Sequence, residues 1–382
     1  MKATYAVTLA SAVAAGQAMA QDSTAEFVPE TLTIEETISE GPNVFVMDQA
    51  WAGPSKVDVL GADDFAVKGN MGPGTTAQMA LSKDGGTLYT TSVYMERYTY
   101  GPVTVVMHEW DVPTLSVRRE FEISNRLAHV ESQPALLSLT ADEGYLLAQN
   151  ATPATSITVV DLAAGTQLAE IPTPGCWGAF PAVEGLKFTT ICGDGTLASY
   201  SFAADGSFGD PAKSEKIFDV DEDALFTNGV RIGSELVFVS FNGNLYFVDD
   251  SGEAPVLTGT APLTEGVLGR WAPSGSELIA YNAPTDTAFV LMHSDTYDGS
   301  HKNPATEIWS IDMETKTVVG RSPAHHENGL AVTQTEEPIL YGATEEGNVV
   351  RYDVTMGDEV SLAMAEEFET GAGFVTLLKL DR

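Results

Sequence analysis

Apolar positions along this chain fall in short runs, and few stretches repeat them at the i, i+3, i+4, i+7 spacing of an amphipathic helix. Between the runs, Gly recurs beside Asp and Asn, as in Ser82-Lys-Asp-Gly-Gly-Thr-Leu-Tyr89. Such pairs supply the positive φ values that tight hairpin turns require. The pattern predicts an all-β chain of short strands joined by hairpins.

One unit returns along the chain: a β-rich run ending in an aromatic or aliphatic residue plus Asp, then a turn and another strand. It reads Asn43-Val-Phe-Val-Met-Asp48, Val105-Val-Met-His-Glu-Trp-Asp111, Ile157-Thr-Val-Val-Asp161, Leu197-Ala-Ser-Tyr-Ser-Phe202 (without the Asp), Leu245-Tyr-Phe-Val-Asp249, Ile308-Trp-Ser-Ile-Asp312 and Val349-Val-Arg-Tyr-Asp353. A second landmark, a turn leading into an inner strand, generally precedes it, as at 82–89, 140–147, 273–280 and 334–341. Seven units spaced by about fifty residues match four-stranded propeller blades. Regular recurrence without a linker argues against a stack of sandwiches. The prediction is a seven-bladed β-propeller over residues 41–382, with the run Gly373-Phe-Val-Thr-Leu-Leu-Lys-Leu380 completing the N-terminal blade and removing the open edges.

The N-terminus changes the picture of where the chain works. Lys2, the apolar run from Tyr5 to Ala15 and Ala18-Met19-Ala20 have the order of a secretory signal peptide cleaved after Ala20, which predicts a periplasmic protein. That run is too short to span a bilayer. The acidic, Thr-rich stretch 21–40 reads as an arm that is flexible or packed on a partner. Cys176 and Cys192, an even count in an oxidising compartment, favour a disulfide; two buried free thiols are the alternative.

Acidic residues outnumber basic ones 54 to 19, a formal net charge of −35. This excludes a nucleic-acid partner, which needs clustered Lys and Arg, and disfavours anionic membrane surfaces. Solubility explains the charge most simply, while steering of cations such as protonated amines is a second use.

Catalytic motifs are scarce. The chain has no G-x-S-x-G elbow, H-E-x-x-H pair, phosphate-binding glycine loop or C-x-x-C. Its six histidines are His108, His129, His293, His301, His325 and His326. The adjacent pair His325-His326 suggests a metal site, but neighbouring side chains on a strand diverge. Asp219-Val-Asp221-Glu-Asp223 opens like a calcium loop, yet Ala224 and Val230 stand where a Gly and a bidentate Glu are required, so it reads as a solvated acidic turn. No metal site is expected, and fold alone does not choose among enzyme, binding module and scaffold.

Four stretches carry a family resemblance. The first runs Val159-Val-Asp-Leu162, Ile171-Pro-Thr-Pro-Gly-Cys176, Phe180-Pro181 and Cys192-Gly-Asp-Gly-Thr-Leu197. The others are His301-Lys302 with Glu307-Ile-Trp-Ser-Ile-Asp312; His326-Glu327 with Val332-Thr-Gln334 and Glu337-Pro-Ile-Leu-Tyr341; and Thr90-Thr-Ser-Val-Tyr94 with Arg97 and Glu109-Trp-Asp111. In this order they resemble the heavy subunit of methylamine dehydrogenase and its aromatic amine dehydrogenase relatives. The chain departs from that pattern at Trp271-Ala-Pro-Ser-Gly275, which lacks one Gly, and around Thr227-Asn228-Gly229.

The resemblance implies a disulfide between Cys176 and Cys192 and an assembly of two large and two small subunits. It places a tryptophan tryptophylquinone cofactor in the small subunit and none in this chain. It implies oxidation of a primary amine to aldehyde and ammonia, with electrons passing to a blue copper protein of the amicyanin or azurin kind. It assigns no catalytic residue to the large subunit and one aromatic to the substrate channel, which falls at Tyr94; a strand-end tyrosine packed on the blade edge is the alternative there. His301 and Lys302 are expected to stabilise a loop or an interface. The competing functions are a stand-alone periplasmic propeller that binds or scaffolds without redox activity, and a lactonase-like hydrolase with a metal in its channel.

Overall fold

The computed structural model describes residues 35–98, 100–371 and 373–382. The predicted signal peptide and most of the arm, residues 21–34, lie outside the described residues. Residues 37–382 form one compact unit of seven antiparallel sheets, each a blade. Six blades follow one another along the chain, from 75–123 to 327–368. The remaining blade joins the two ends: Val375–Leu380 is its innermost strand and pairs with Asn43–Asp48, Val44 opposite Leu380 and Val46 opposite Leu378. Asp381 accepts hydrogen bonds from the backbone and side-chain amides of Asn43, so the predicted ring closure is present. Ile38, in the expected arm, packs on the first and second blades and donates its N–H to Pro113.

The apolar runs have a geometric cause. Successive side chains of a strand point to opposite faces of its sheet, and a blade inside the ring has a neighbour against each face. In Asn43–Asp48, Val44 and Val46 pack against the last blade while Phe45 and Met47 pack against the second. Both parities must therefore be apolar, which erases the alternation that a half-solvated sheet shows. Every cluster of buried apolar side chains spans adjacent blades, so the core is a ring of interfaces.

Two details differ from expectation. The recurrent Asp-ending run is the third strand counted from the centre in six blades. Asn43–Asp48 is a second strand, and the third strand of its blade is Lys56–Gly61, which lacks the landmark. The N-terminal blade takes its innermost strand from the far end of the chain, so the repeat there is shifted by one strand. The turn landmark likewise leads into second strands at 82–89, 140–147 and 334–341. At 273–280 it instead breaks an innermost strand into Trp271–Pro273 and Ile279–Asn282, both paired with Thr287–Ser294. Gly275 sits in this break at φ +100°, and a Cβ there would come within 2.7 Å of the Asn328 carbonyl oxygen. Only glycine fits both demands.

Cys176 and Cys192 form the expected disulfide. They stand directly opposite each other on the two inner strands of one blade, with Cα atoms 3.9 Å apart.

Candidate functional site

All the innermost strands run in one direction, so their starts gather around one mouth of the central channel. Phe374, Glu131, Gln133, Thr227, His301, Lys302 and Asn328 border a cavity of 460 Å³ there. Beside it, strands Thr87–Arg97 and Tyr100–Asp111 form the longest hairpin among the described residues. Its tip projects on the same side, because Val93 pairs with Thr75 at the start of the inner strand.

Tyr94 lies near this tip, 42% exposed, and lines a cleft of 310 Å³ with Trp51, Pro54 and Tyr98. Tyr98 is 77% exposed and donates its hydroxyl to the Ala52 carbonyl oxygen at 2.9 Å, tying the hairpin to the neighbouring loop. Arg97 sits over the Tyr100 ring at 5.1 Å. Trp51 contacts Phe374 with ring centroids 6.4 Å apart, so the cleft adjoins the channel mouth. The result is a cleft walled by exposed aromatic rings.

The side chains beneath Tyr94 fix its ring. His108, buried, meets it edge-on at 6.3 Å. One imidazole nitrogen, Nε2, faces Glu120 Oε2 at 3.1 Å and the other, Nδ1, faces Ser92 Oγ at 3.4 Å. Burial pushes the His108 pKa below the ordinary imidazole value, with Glu120 opposing. Burial raises the Tyr94 phenol, which stays neutral at physiological pH. This arrangement can hold an aromatic wall in place and offers no activated nucleophile.

Other candidates separate from one another. His301 stacks on Phe241 at 4.3 Å in the short turn Ser300–Lys302, and its carbonyl accepts the Gly275 N–H, so it makes contacts that hold its loop. His325 packs toward Tyr352 while His326 turns toward Glu345 at 3.5 Å, so the adjacent pair diverges. His326, Glu345 and Glu346 are close enough to share a cation, but all three are exposed. In the acidic turn, Asp219 caps the N–H groups of Asp221 and Glu222, and Asp223 accepts from Asn242 and Asn244. Those carboxylates are taken up by their own turn and by the neighbouring turn at 242–244.

Sequence reasoning missed two interior residues, Asn228 and Glu277. Asn228 donates its side-chain amide to the Glu277 carboxylate inside the channel. Both are almost fully buried, and burial pushes the Glu277 carboxyl well above its ordinary pKa. A lone Glu in a turn carries no sequence signal for this. The only trace was that 227–229 and 271–275 both depart from the family pattern.

A closed seven-bladed propeller, stapled in one blade and bearing an aromatic face beside its channel mouth, is the class these features define. The family model described as methylamine dehydrogenase heavy chain matches residues 41–373, and the chain belongs to that family. The methylamine dehydrogenase heavy chain of Methylorubrum extorquens is 26% identical over 91% of this chain and 86% of its own length. That of Paracoccus versutus is 25% identical over 92% and 83%. Among solved structures, a putative 6-phosphogluconolactonase from Bacteroides fragilis superposes with a TM-score of 0.61 at 11% identity, covering 89% of this chain and 98% of that one. The Cps50 (Swd1) β-propeller domain of Myceliophteria thermophila gives 0.56 at 14%, covering 86% and 100%. These two likenesses concern the fold alone.

Proposed function

We propose that this chain is the large subunit of a periplasmic, quinone-dependent amine dehydrogenase that oxidises primary amines of the methylamine kind to aldehyde and ammonia. The family match over 41–373 carries this reading. In it, two large subunits hold two small ones, each small subunit carries tryptophan tryptophylquinone, and electrons leave one at a time to an amicyanin- or azurin-like blue copper protein. The large subunit supplies a rigid platform and one wall of the substrate entrance. Tyr94, at the cleft with Trp51 and Tyr98, is that wall, and the exposed aromatic face is where the small subunit sits. Aromatic side chains dominate such contacts because they bury much area at small entropic cost. The acidic surface attracts the protonated amine.

Isolation from the native periplasm tests the whole reading. Co-purification with a small, tryptophan-rich subunit and a visible quinone band that bleaches on adding methylamine are expected. A colourless lone chain that never acquires a small subunit would falsify it and favour a stand-alone propeller.

A further inference from the structure

The innermost strands end around the opposite opening of the channel, and a cavity of 500 Å³ lies there. Its walls come from five blades: strands Thr75–Leu81, Leu137–Leu139, Cys176–Pro181, Leu225–Ile232 and Val375–Leu380 all contribute. Only the axis of the ring brings those five strands together. Most of the wall is apolar, with Ala135, Leu139, Phe180 and Leu236 in it, and Val183, 39% exposed, stands at its rim. An apolar chamber open to solvent, within the roughly 300–1,000 Å³ of small-molecule pockets, suits a ligand with an apolar body.

Four charged side chains border this cavity, and three are cations: Lys83, Arg231 and Lys379 against Glu143. Over the whole chain acidic residues outnumber basic ones 54 to 19, so the balance is inverted here. Two of the cations are held by the fold. Arg231 donates to both carboxylate oxygens of buried Asp250 and to the Pro181 carbonyl. The Lys83 ammonium donates to the Ala141 carbonyl, and Glu143 accepts the Lys83 backbone N–H. Lys379 is different. It stands half-buried on the closing strand, and its ammonium makes no hydrogen bond or contact ion pair among the described residues. Glu277 and Arg382 border an adjoining cavity that shares Lys379 as a wall. Those two carry opposite charges, and the Glu277 carboxylate already accepts from the Asn228 amide.

The occupant has to match apolar walls and one free cation. An organic cation meets the wrong sign of charge. A phosphate ester calls for several converging donors, and here two of the three cations are already engaged. A single carboxylate on an apolar body fits: Lys379 donates to the head, and the walls remove the body from water. We propose that this end of the channel is a binding site for a medium-chain monocarboxylate, its carboxylate on Lys379 and its alkyl chain against Leu139, Phe180 and Leu236. The site is built from this chain alone, at the opposite end of the channel from the Tyr94 cleft, and goes beyond the amine dehydrogenase reading.

Calorimetric titration of the mature chain, in the assembly in which it is isolated, tests the site with butyrate, hexanoate and octanoate as probes. Octanoate is expected to bind saturably, one per chain, with affinity rising about two- to fourfold per added methylene along the series. Octan-1-ol and octyltrimethylammonium keep the tail and change the head; each should bind at least about tenfold more weakly. Lys379→Met should weaken octanoate by about fivefold or more, while Arg382→Gln, in the adjoining cavity, should change it by less than about twofold. Leu139→Trp should abolish binding by filling the chamber, with melting and circular dichroism reporting that the variants fold. Val183→Trp at the exposed rim takes its place should Leu139→Trp fail to fold. The proposal is overturned if octanoate does not bind at about 10 mM, if octan-1-ol binds as tightly, or if Arg382→Gln costs more than Lys379→Met.

Discussion

Tyr94 and His108 show how a single ring can be both exposed and fixed. The tyrosine presents one face to the cleft beside Trp51 and rests its other side on a buried imidazole. In the proposed role, as the wall of a substrate entrance, it acts by size. Tyr94→Ala in the assembled enzyme is expected to raise the rate for longer amines relative to methylamine, by up to roughly tenfold, the scale of small pocket changes. Unchanged relative rates for short and long amines would reject the role. The imidazole beneath makes a separate prediction about pH. Its folded pKa lies below the unfolded value of about 6.5, so the unfolded chain binds more protons there. Stability from this group is present above that value and is lost as pH falls through it toward the folded pKa. Wild-type protein should therefore lose melting temperature relative to His108→Gln between about pH 7 and 5. A widening advantage for wild type on acidification would mean that Glu120 outweighs burial.

At the scale of the strand and the blade, the sequence was legible wherever local chemistry repeats. Hairpin turns such as Asp84-Gly85 and the Asp-ending third strands announced blades because each blade solves the same burial problem. The shift at Asn43–Asp48 was not legible, since nothing in that run records that its inner neighbour comes from residues 375–380. The same limit hid Asn228 and Glu277, which lie 49 positions apart and meet only through ring geometry. Tyr94 was reached through family resemblance; its cleft with Trp51 required the fold. The disulfide lies between these extremes: composition suggested it, and opposition on paired strands makes it possible. It closes a loop with a sequence separation of 16, for which the chain-entropy model gives about 3 kcal/mol. Cys176→Ala/Cys192→Ala should lower the free energy of unfolding by roughly 2–4 kcal/mol in denaturant titration, with the β-sheet circular dichroism retained. A loss below about 0.5 kcal/mol would show that the paired strands already restrain the unfolded loop.

For the whole molecule, the ring has to close against its own charge. The closing strand buries Val375, Leu377 and Leu378, each worth roughly 1.5–3 kcal/mol. Their sum is comparable to the ~5–15 kcal/mol by which a typical domain is stable. A chain ending at residue 371 should therefore fail to give a soluble monodisperse propeller, since the edge of Asn43–Asp48 would also be left open to pair with other chains. Size-exclusion profiles of the truncated and full mature chains make the comparison. Opposing closure, the chain carries a net charge of −35, most of it within the compact unit 37–382. Like charges raise the energy of the folded state more than that of the expanded chain, and salt screens them over a Debye length of about 10 Å at 0.1 M. Raising sodium chloride from about 10 mM to 0.5 M should then increase the melting temperature. In the assembled enzyme, the same titration should slow the encounter with a protonated amine, because attraction by the acidic surface is screened too. The two effects have opposite signs for one physical cause. A melting temperature that falls with salt would show that pairs such as Arg231 with the buried Asp250 outweigh the general repulsion.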